Sequence, residues 1–337
     1  MQNKVVKRTV AFSKDSSNLF FHILTKCNLR CKHCYINRDE HGRKTLDLAT
    51  IREWLALFIE RSQETNLILL GGEPTLHPDL SLVVKAARKM GFSSITIDTN
   101  GYLFHDILDK ITPDDLDFIS FSLDGATPAT NDAIRGKGCY DACVKGVKKA
   151  VEKGFSTSMI YTVSAANIDE LDQMPDLVKA LGVDRFFIQV VGIRGESAGD
   201  GGRAQVTMER WLEVVPPVAR EIARAGITVT WPKVFLDPDE IFECAGLVAD
   251  NYFVFPNGRV YRCPLCEDHP IHGFEIRENQ LVPTSLLNET ALFDLTIPEG
   301  CVMNKLVQPG NITYRQDGKP EHKIACCMLK QEIVLSL

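Results

Sequence analysis

Between Asn18 and Val191 the chain repeats one pattern six times: a short apolar run, then a longer stretch with helical spacing. The runs are NLFFHIL (18–24), NLILL (66–70), SSITIDT (93–99), DFISFSL (117–123), STSMIYTV (156–163) and DRFFIQVV (184–191). Between them, residues 46–63 place Leu48, Ile51, Leu55 and Phe58 on one helical face. The stretches 80–90, 140–153 and 168–181 end at Gly91, Gly154 and Gly182, residues suited to a helix C-cap. Strands joined through helices become parallel neighbours with right-handed crossovers. The runs are apolar nearly throughout, as strands covered on both faces should be. The expected fold is therefore α/β around a parallel sheet, open or closed, with functional residues after the strand C-termini.

The segment after the first strand reads TKCNLRCKHCY, with Cys27, Cys31 and Cys34 spaced C-x3-C-x2-C. The chain holds eleven cysteines, an odd number that cannot all pair in disulfides. Its N-terminus lacks the apolar stretch of a secretory signal, so a reducing, cytoplasmic setting is expected, where metal or redox roles gain weight. Three thiolates can hold three irons of a [4Fe–4S] cube and leave the fourth open. A zinc site completed by His22, His33 or a distant residue is the alternative. Cys139 and Cys143, four apart on a helix, read as small apolar residues. Net charge is −6, which gives no electrostatic reason to expect nucleic acid. No apolar run approaches the ~20 residues of a membrane helix.

The cysteine run followed by Tyr35 resembles the radical S-adenosylmethionine (SAM) superfamily. Gly71-Gly72-Glu73-Pro74, directly after the second strand, is similar to that family's GGEP motif. The resemblance implies a partial (β/α)6 TIM-like barrel. It implies a [4Fe–4S] cluster on Cys27, Cys31 and Cys34 whose open iron chelates SAM. Reductive cleavage there would yield a 5′-deoxyadenosyl radical that abstracts hydrogen from substrate. Tyr35, Gly71, Gly72, Glu73 and Pro74 would contact SAM, with Glu73 accepting from its ammonium. Asn100 ends the third strand, and Ser122 and Asp124 end the fourth, near the SAM ribose. Arg135 resembles a residue that pairs with the SAM carboxylate. Asn167, Gly192-Ile193 and the glycine-rich stretch 195–203 occupy family-like positions after the fifth and sixth strands. No catalytic residue is singled out.

After a helix near 207–225, the pattern changes. NYFVF-PNG-RVYRC (251–263) reads as a hairpin turning on Asn257-Gly258. Cys244, Gly258 and Cys263 are spaced C-x13-G-x4-C, which resembles the opening of the superfamily's SPASM or twitch extension. The later cysteine run of a full SPASM module is missing, which argues for one auxiliary cluster. Cys244, Cys263, Cys301 and Cys326 are the expected ligands, with Cys266 or Cys327 as replacements. The same cysteines in a zinc knuckle are the structural alternative. The expected organisation is an N-terminal segment (1–16), a radical SAM core (17–225) and an auxiliary-cluster module (226–337).

Such an extension points to peptide or protein modification by oxidation, crosslinking or epimerisation. A small-molecule dehydrogenase or cofactor-biosynthesis enzyme is the second reading, and a non-catalytic zinc or iron–sulfur scaffold the third. Expected partners are a peptide or small-molecule substrate and a reductant such as flavodoxin or ferredoxin. Too little chain precedes Asn18 for a cobalamin-binding domain, so cobalamin-dependent methyl transfer is not expected.

Overall fold

The computed structural model describes residues 12–62, 64–200, 204–285 and 287–334. Seven strands lie side by side in chain order: β1 (Ser17–His22), β2 (Thr65–Leu70), β3 (Ser94–Thr99), β4 (Phe118–Ser122), β5 (Thr157–Val163), β6 (Arg185–Val190) and β7 (Thr228–Pro232). All six pairings among them are parallel. The first six match the apolar runs of the sequence. Each is buried over most of its length because helices cover one side and the strands curve around the other.

β7 extends the sheet beyond the six runs expected. Its short segment TVTWP follows Gly226, where the sequence reads as a boundary rather than a strand. A second difference is the helix Pro128–Arg135, which the sequence pattern leaves unassigned. Thr127 caps it by accepting from the Thr130 N–H, and Pro128 stands in its first turn, where a missing N–H costs nothing. The stretch 168–181 is divided into a 3-10 turn (Ile168–Gln173) and a helix (Met174–Leu181), with Pro175 starting the latter.

The remaining strands are β8 (Phe235–Leu236), β9 (Asp250–Val254), β10 (Arg259–Tyr261), β11 (Phe274–Arg277), β12 (Gln280–Pro283), β13 (Lys323–Ile324) and β14 (Lys330–Ile333). The hairpin is β9–β10, and β9 pairs in parallel with β1, so the hairpin is continuous with the main sheet. β10, β11 and β12 extend that edge as an antiparallel meander. At the other edge β14 pairs antiparallel with β7. The twelve-stranded order is β12-β11-β10-β9-β1-β2-β3-β4-β5-β6-β7-β14, with β8 and β13 as a separate ladder. β1 pairs with β2 and β9 and does not meet β6, so the (β/α)6 portion is an open, partial barrel.

One core cluster runs beneath the helices and includes Leu19, Phe21, Ile51, Leu55, Leu67 and Ile97. A second gathers Phe253, Phe255, Tyr261, Leu265, Cys266, Cys301, Met303 and Met328 under the C-terminal segments.

Candidate active site

The strand C-termini open on one cavity of about 310 Å³. Cys27, Cys31, Cys34, Tyr35, Gly71, Gly72, Glu73, Asn100, Ser122 and Arg135 all line it. Pro74 and Asp124 stand behind this wall: Pro74 starts a buried 3-10 turn, and Asp124 is fully buried beneath Arg135.

The two glycines after β2 hold the cysteine loop. Gly72 N–H donates to Leu24 O at 3.0 Å, and Glu73 N–H donates to Lys26 O at 3.0 Å. A Cβ on Gly72 would lie 2.3 Å from Lys26 O. The sequence suggested that this glycine pair admits a ligand; its closest approach is to the chain that carries Cys27. Gly195 performs the same service from the loop after β6. Its φ is +55°, and an added Cβ would lie 2.3 Å from Cys34 O.

Glu73 is buried and ties the strand ends together. Oε1 accepts from Thr75 N (3.1 Å), Thr75 Oγ1 (2.5 Å) and Thr99 Oγ1 (2.8 Å), while Oε2 accepts from Asn100 N (2.8 Å). Oε2 accepts only from Asn100 N among the described residues, which leaves it room for a donor from the cavity. Asn100 in turn donates from Nδ2 to Asn28 Oδ1 at 2.8 Å, inside the cysteine loop.

Arg135 donates from Nε to Asp124 Oδ2 at 2.5 Å. Asp124 also accepts from Thr162 N at 2.8 Å, and His33 Nε2 lies 3.1 Å from Oδ2. Burial works to raise this carboxyl, but Arg135 and His33 overcome it and hold the group below the usual carboxylate range. Arg135 is thereby aimed along the cavity wall. Asn167 accepts at Oδ1 from Ser164 N and donates from Nδ2 to Asp124 O and Thr162 O, so it braces the ends of β4 and β5. Gly192 lines the cavity, and Ile193 N–H donates to Val307 O. Residues 201–203 of the glycine-rich stretch lie outside the described residues.

The donors around the three cysteines fit a cluster with one open corner. Burial raises all three thiols, Cys27 to about 11 and Cys31 to about 12, so binding iron would displace their protons. His22 is unavailable as a fourth ligand. Nδ1–H donates to Val254 O at 3.0 Å, Tyr35 O–H donates to Nε2 at 2.7 Å, and the ring stacks on Phe255. His33 Nε2 faces Asp124. The Cys139 thiol is placed to donate to Arg135 O and the Cys143 thiol to Ser122 O. Among the described residues, no three Cys, His, Asp or Glu side chains converge on a single-ion site.

Five of the six C-terminal thiols belong to the second core cluster or pack against it. Cys266 and Cys301 belong to its buried centre, with Cys263, Cys326 and Cys327 packed against it. Cys244 lies close enough to Cys326 and Cys263 for their charges to raise its thiol, after burial as the main cause. Cys327 also lines the main cavity. The cysteine loop is joined to this region through Arg194. Its guanidinium stands 4.9 Å from the centroid of Tyr35 and donates to Pro264 O (2.5 Å) and Glu267 Oε2 (3.0 Å).

Sequence reasoning passed over Asp98, Arg194, Glu267 and Lys330, all of which line the cavity. Asp98 carried a signal, as the one acid in the apolar run SSITIDT. Burial pushes its carboxyl up to about 7, against the opposing pull of Ser120 and Lys330. Lys330 gave none until the pairing of β14 with β7 was known.

A sequence profile of the radical SAM superfamily matches residues 22–178. The chain is similar to the Pre-heme d1 synthase of Dinoroseobacter shibae, 33% identical over 173 residues, covering 50% of this chain and 42% of the relative. It is also similar to a Probable GTP 3′,8-cyclase of Saccharolobus solfataricus, 27% identical over 305 residues, covering 86% of this chain and 96% of the relative. The chain spans about half the length of the first curated relatives it matches. Among solved structures, Streptococcus suis SuiB bound to precursor peptide SuiA shares the fold, with a TM-score of 0.60 and 14% identity over 74% of this chain and 60% of SuiB. The three-cysteine loop, the GGEP strand end and strands β2 to β5 of the sheet that carries both lie within the stretch that matches the radical SAM superfamily, and a C-terminal extension follows it.

Proposed function

We propose that this protein cleaves SAM reductively and directs the resulting radical to a substrate held in the same cavity, most directly a peptide or protein side chain. The observation that carries the reading is the convergence of Cys27, Cys31, Cys34, Gly72, Glu73, Asn100 and Arg135 on one cavity wall. A [4Fe–4S] cluster on the three cysteines would supply the electron that breaks the sulfonium bond. The chain's own residues bind, orient and exclude water. Glu73 Oε2 offers an acceptor for an ammonium, and Arg135, fixed by Asp124, offers a cation for a carboxylate. Phe12, Phe20, Phe253, Leu265 and Met328 give the cavity a dry wall that keeps solvent from quenching a radical.

The proposal extends to an auxiliary cluster in a module spanning 226–337, on Cys244, Cys263, Cys301 and Cys326, with Cys266 and Cys327 as neighbours. The gathering of Cys263, Cys301 and Cys326 in one apolar cluster, with Cys244 in electrostatic range of Cys326 and Cys263, supports it. Unpaired thiols at two sites suit a reducing compartment such as the cytoplasm, with flavodoxin or ferredoxin as electron donor. No helix among the described residues is long and apolar enough to cross a membrane. A second reading, a step in cofactor biosynthesis, is favoured by the names of the relatives, a heme d1 precursor synthase and a GTP cyclase.

Anaerobic reconstitution tests the proposal. About eight irons per chain, four per cluster, and release of 5′-deoxyadenosine from SAM with dithionite are expected. Zinc in the purified protein and intact SAM would support the scaffold reading instead. Incubation with candidate peptides against tetrapyrrole or nucleotide substrates separates the two catalytic readings.

A further inference from the structure

Lys330 enters the cavity from β14, next to Pro232 at the end of β7. Its Nζ stands 4.3 Å from the centroid of the Phe12 ring and 6.0 Å from that of Phe187. Among the described residues no carboxylate lies within ion-pair distance of it. Cys327 and Asp98 are near enough to influence its ionisation, yet Asp98 forms no ion pair with Lys330. Gln189, on β6, also lines the cavity, and its amide has no hydrogen-bond partner among the described residues.

A desolvated ammonium needs a counter-charge or strong acceptors. Ring faces hold a cation in place but return only part of the hydration it has lost. Burial accordingly lowers the Lys330 ammonium to about 8, which still leaves it mostly charged at neutral pH. An amine held by two rings, in one cavity with an unused amide, is a preformed acceptor of negative charge. Of the other cavity cations, Arg135 is assigned to the carboxylate of SAM in the proposed function, and Arg194 is paired with Glu267.

We propose that Lys330 and Gln189 form a subsite for a carboxylate of the substrate. The inference deepens the proposed function, rests on it, and names the substrate's chemical class. A carboxylate matches the charge available: one ammonium neutralises one negative charge, and the Gln189 amide can donate to the second oxygen. A phosphate dianion would need a second cation or a row of backbone N–H groups. Phe12 beside Lys330 requires an apolar or aromatic body next to that carboxylate.

The test uses the anaerobically reconstituted full chain with saturating SAM in every arm. Binding of 3-phenylpropionate and of its neutral isostere 3-phenylpropionamide is measured by titration calorimetry. The wild type should bind the carboxylate at least about tenfold more tightly than the amide, a factor set by a single charge-assisted contact. Lys330→Met should erase this preference, Lys330→Arg should keep part of it, and Gln189→Leu should reduce it about threefold. Equal binding of the two probes by the wild type, binding of neither, or an unchanged preference in Lys330→Met overturns the proposal. Inorganic phosphate displacing the carboxylate at equal concentration would also overturn it. Calorimetry reads no SAM cleavage, so failure here is distinct from failure of the proposed activity.

Discussion

Asp98 and Lys330 reach into one cavity from strands five steps apart in the sheet, β3 and β14, and each alters the other's ionisation. On a flat sheet, five steps of about 4.8 Å would separate them by about 24 Å. Twist and curvature bring them within electrostatic range. The cavity is therefore a product of the whole sheet, and its ionisable lining gives it a measurable pH signature.

Asp98 should make stability fall as pH rises through the mildly acidic range. Its folded pKa, about 7, lies above the unfolded value near 3.9, so the native state holds the proton more tightly. The native advantage is complete below about pH 4 and is lost by about pH 7. After a discount for partial exposure to the cavity, the swing is roughly 1–3 kcal/mol. Asp98→Asn should remove it, seen as a smaller Tm difference between pH 5 and pH 8 than in the wild type.

Gly72→Ala should disorganise the cysteine loop. The added methyl meets Lys26 O at 2.3 Å, and this oxygen is backbone that already accepts from Glu73 N–H. A cost of about 1–3 kcal/mol is expected, together with lower iron content after reconstitution. Gly91→Ala is the control: it occupies a strained left-handed position, but nothing lies within 4 Å of its added methyl. Gly91→Ala should lower Tm and leave iron per chain unchanged.

Cysteine replacements should divide into three groups. Cys34→Ala should abolish SAM cleavage and remove about four irons. Cys263→Ala should also remove about four irons and loosen the C-terminal segments, because ligand binding there contributes to folding. Cys139→Ala should keep full iron content at a cost of about 1 kcal/mol, since its thiol is packed between Tyr102 and Arg135 O. Iron assay and anaerobic absorbance spectra check each.

Arg194→Met should be strongly destabilising, by about 3–5 kcal/mol, because it leaves Glu267 buried without its cation. Burial pushes the Glu267 carboxyl up and Arg194 holds it back, so removing Arg194 drives it further toward the neutral acid. Adding Glu267→Gln to that variant should recover part of the loss. A double-mutant cycle on thermal melts measures the coupling.

Six strands and the cysteine loop after the first were legible in the sequence, because apolar periodicity and local spacing are properties of neighbouring residues. Strand β2 ends at Leu70, and Gly71–Pro74 follows it as the sequence reading expected. β7 was hidden because five residues after a helix-ending glycine carry too little pattern. The function of Gly72 was also hidden, since the oxygen it approaches belongs to a loop about 45 residues earlier in the chain.

The sequence by itself determined the parallel α/β core, the three-thiol loop and the GGEP strand end, since each rests on residues close together in the chain. Only the tertiary structure decided that β9 and β14 flank the two edges of the core strands, that Arg194 joins Tyr35 to Pro264 and Glu267, and that Lys330 and Asp98 line one cavity. Those relationships depend on sheet curvature and long-range pairing, which bring together groups that no local spacing relates.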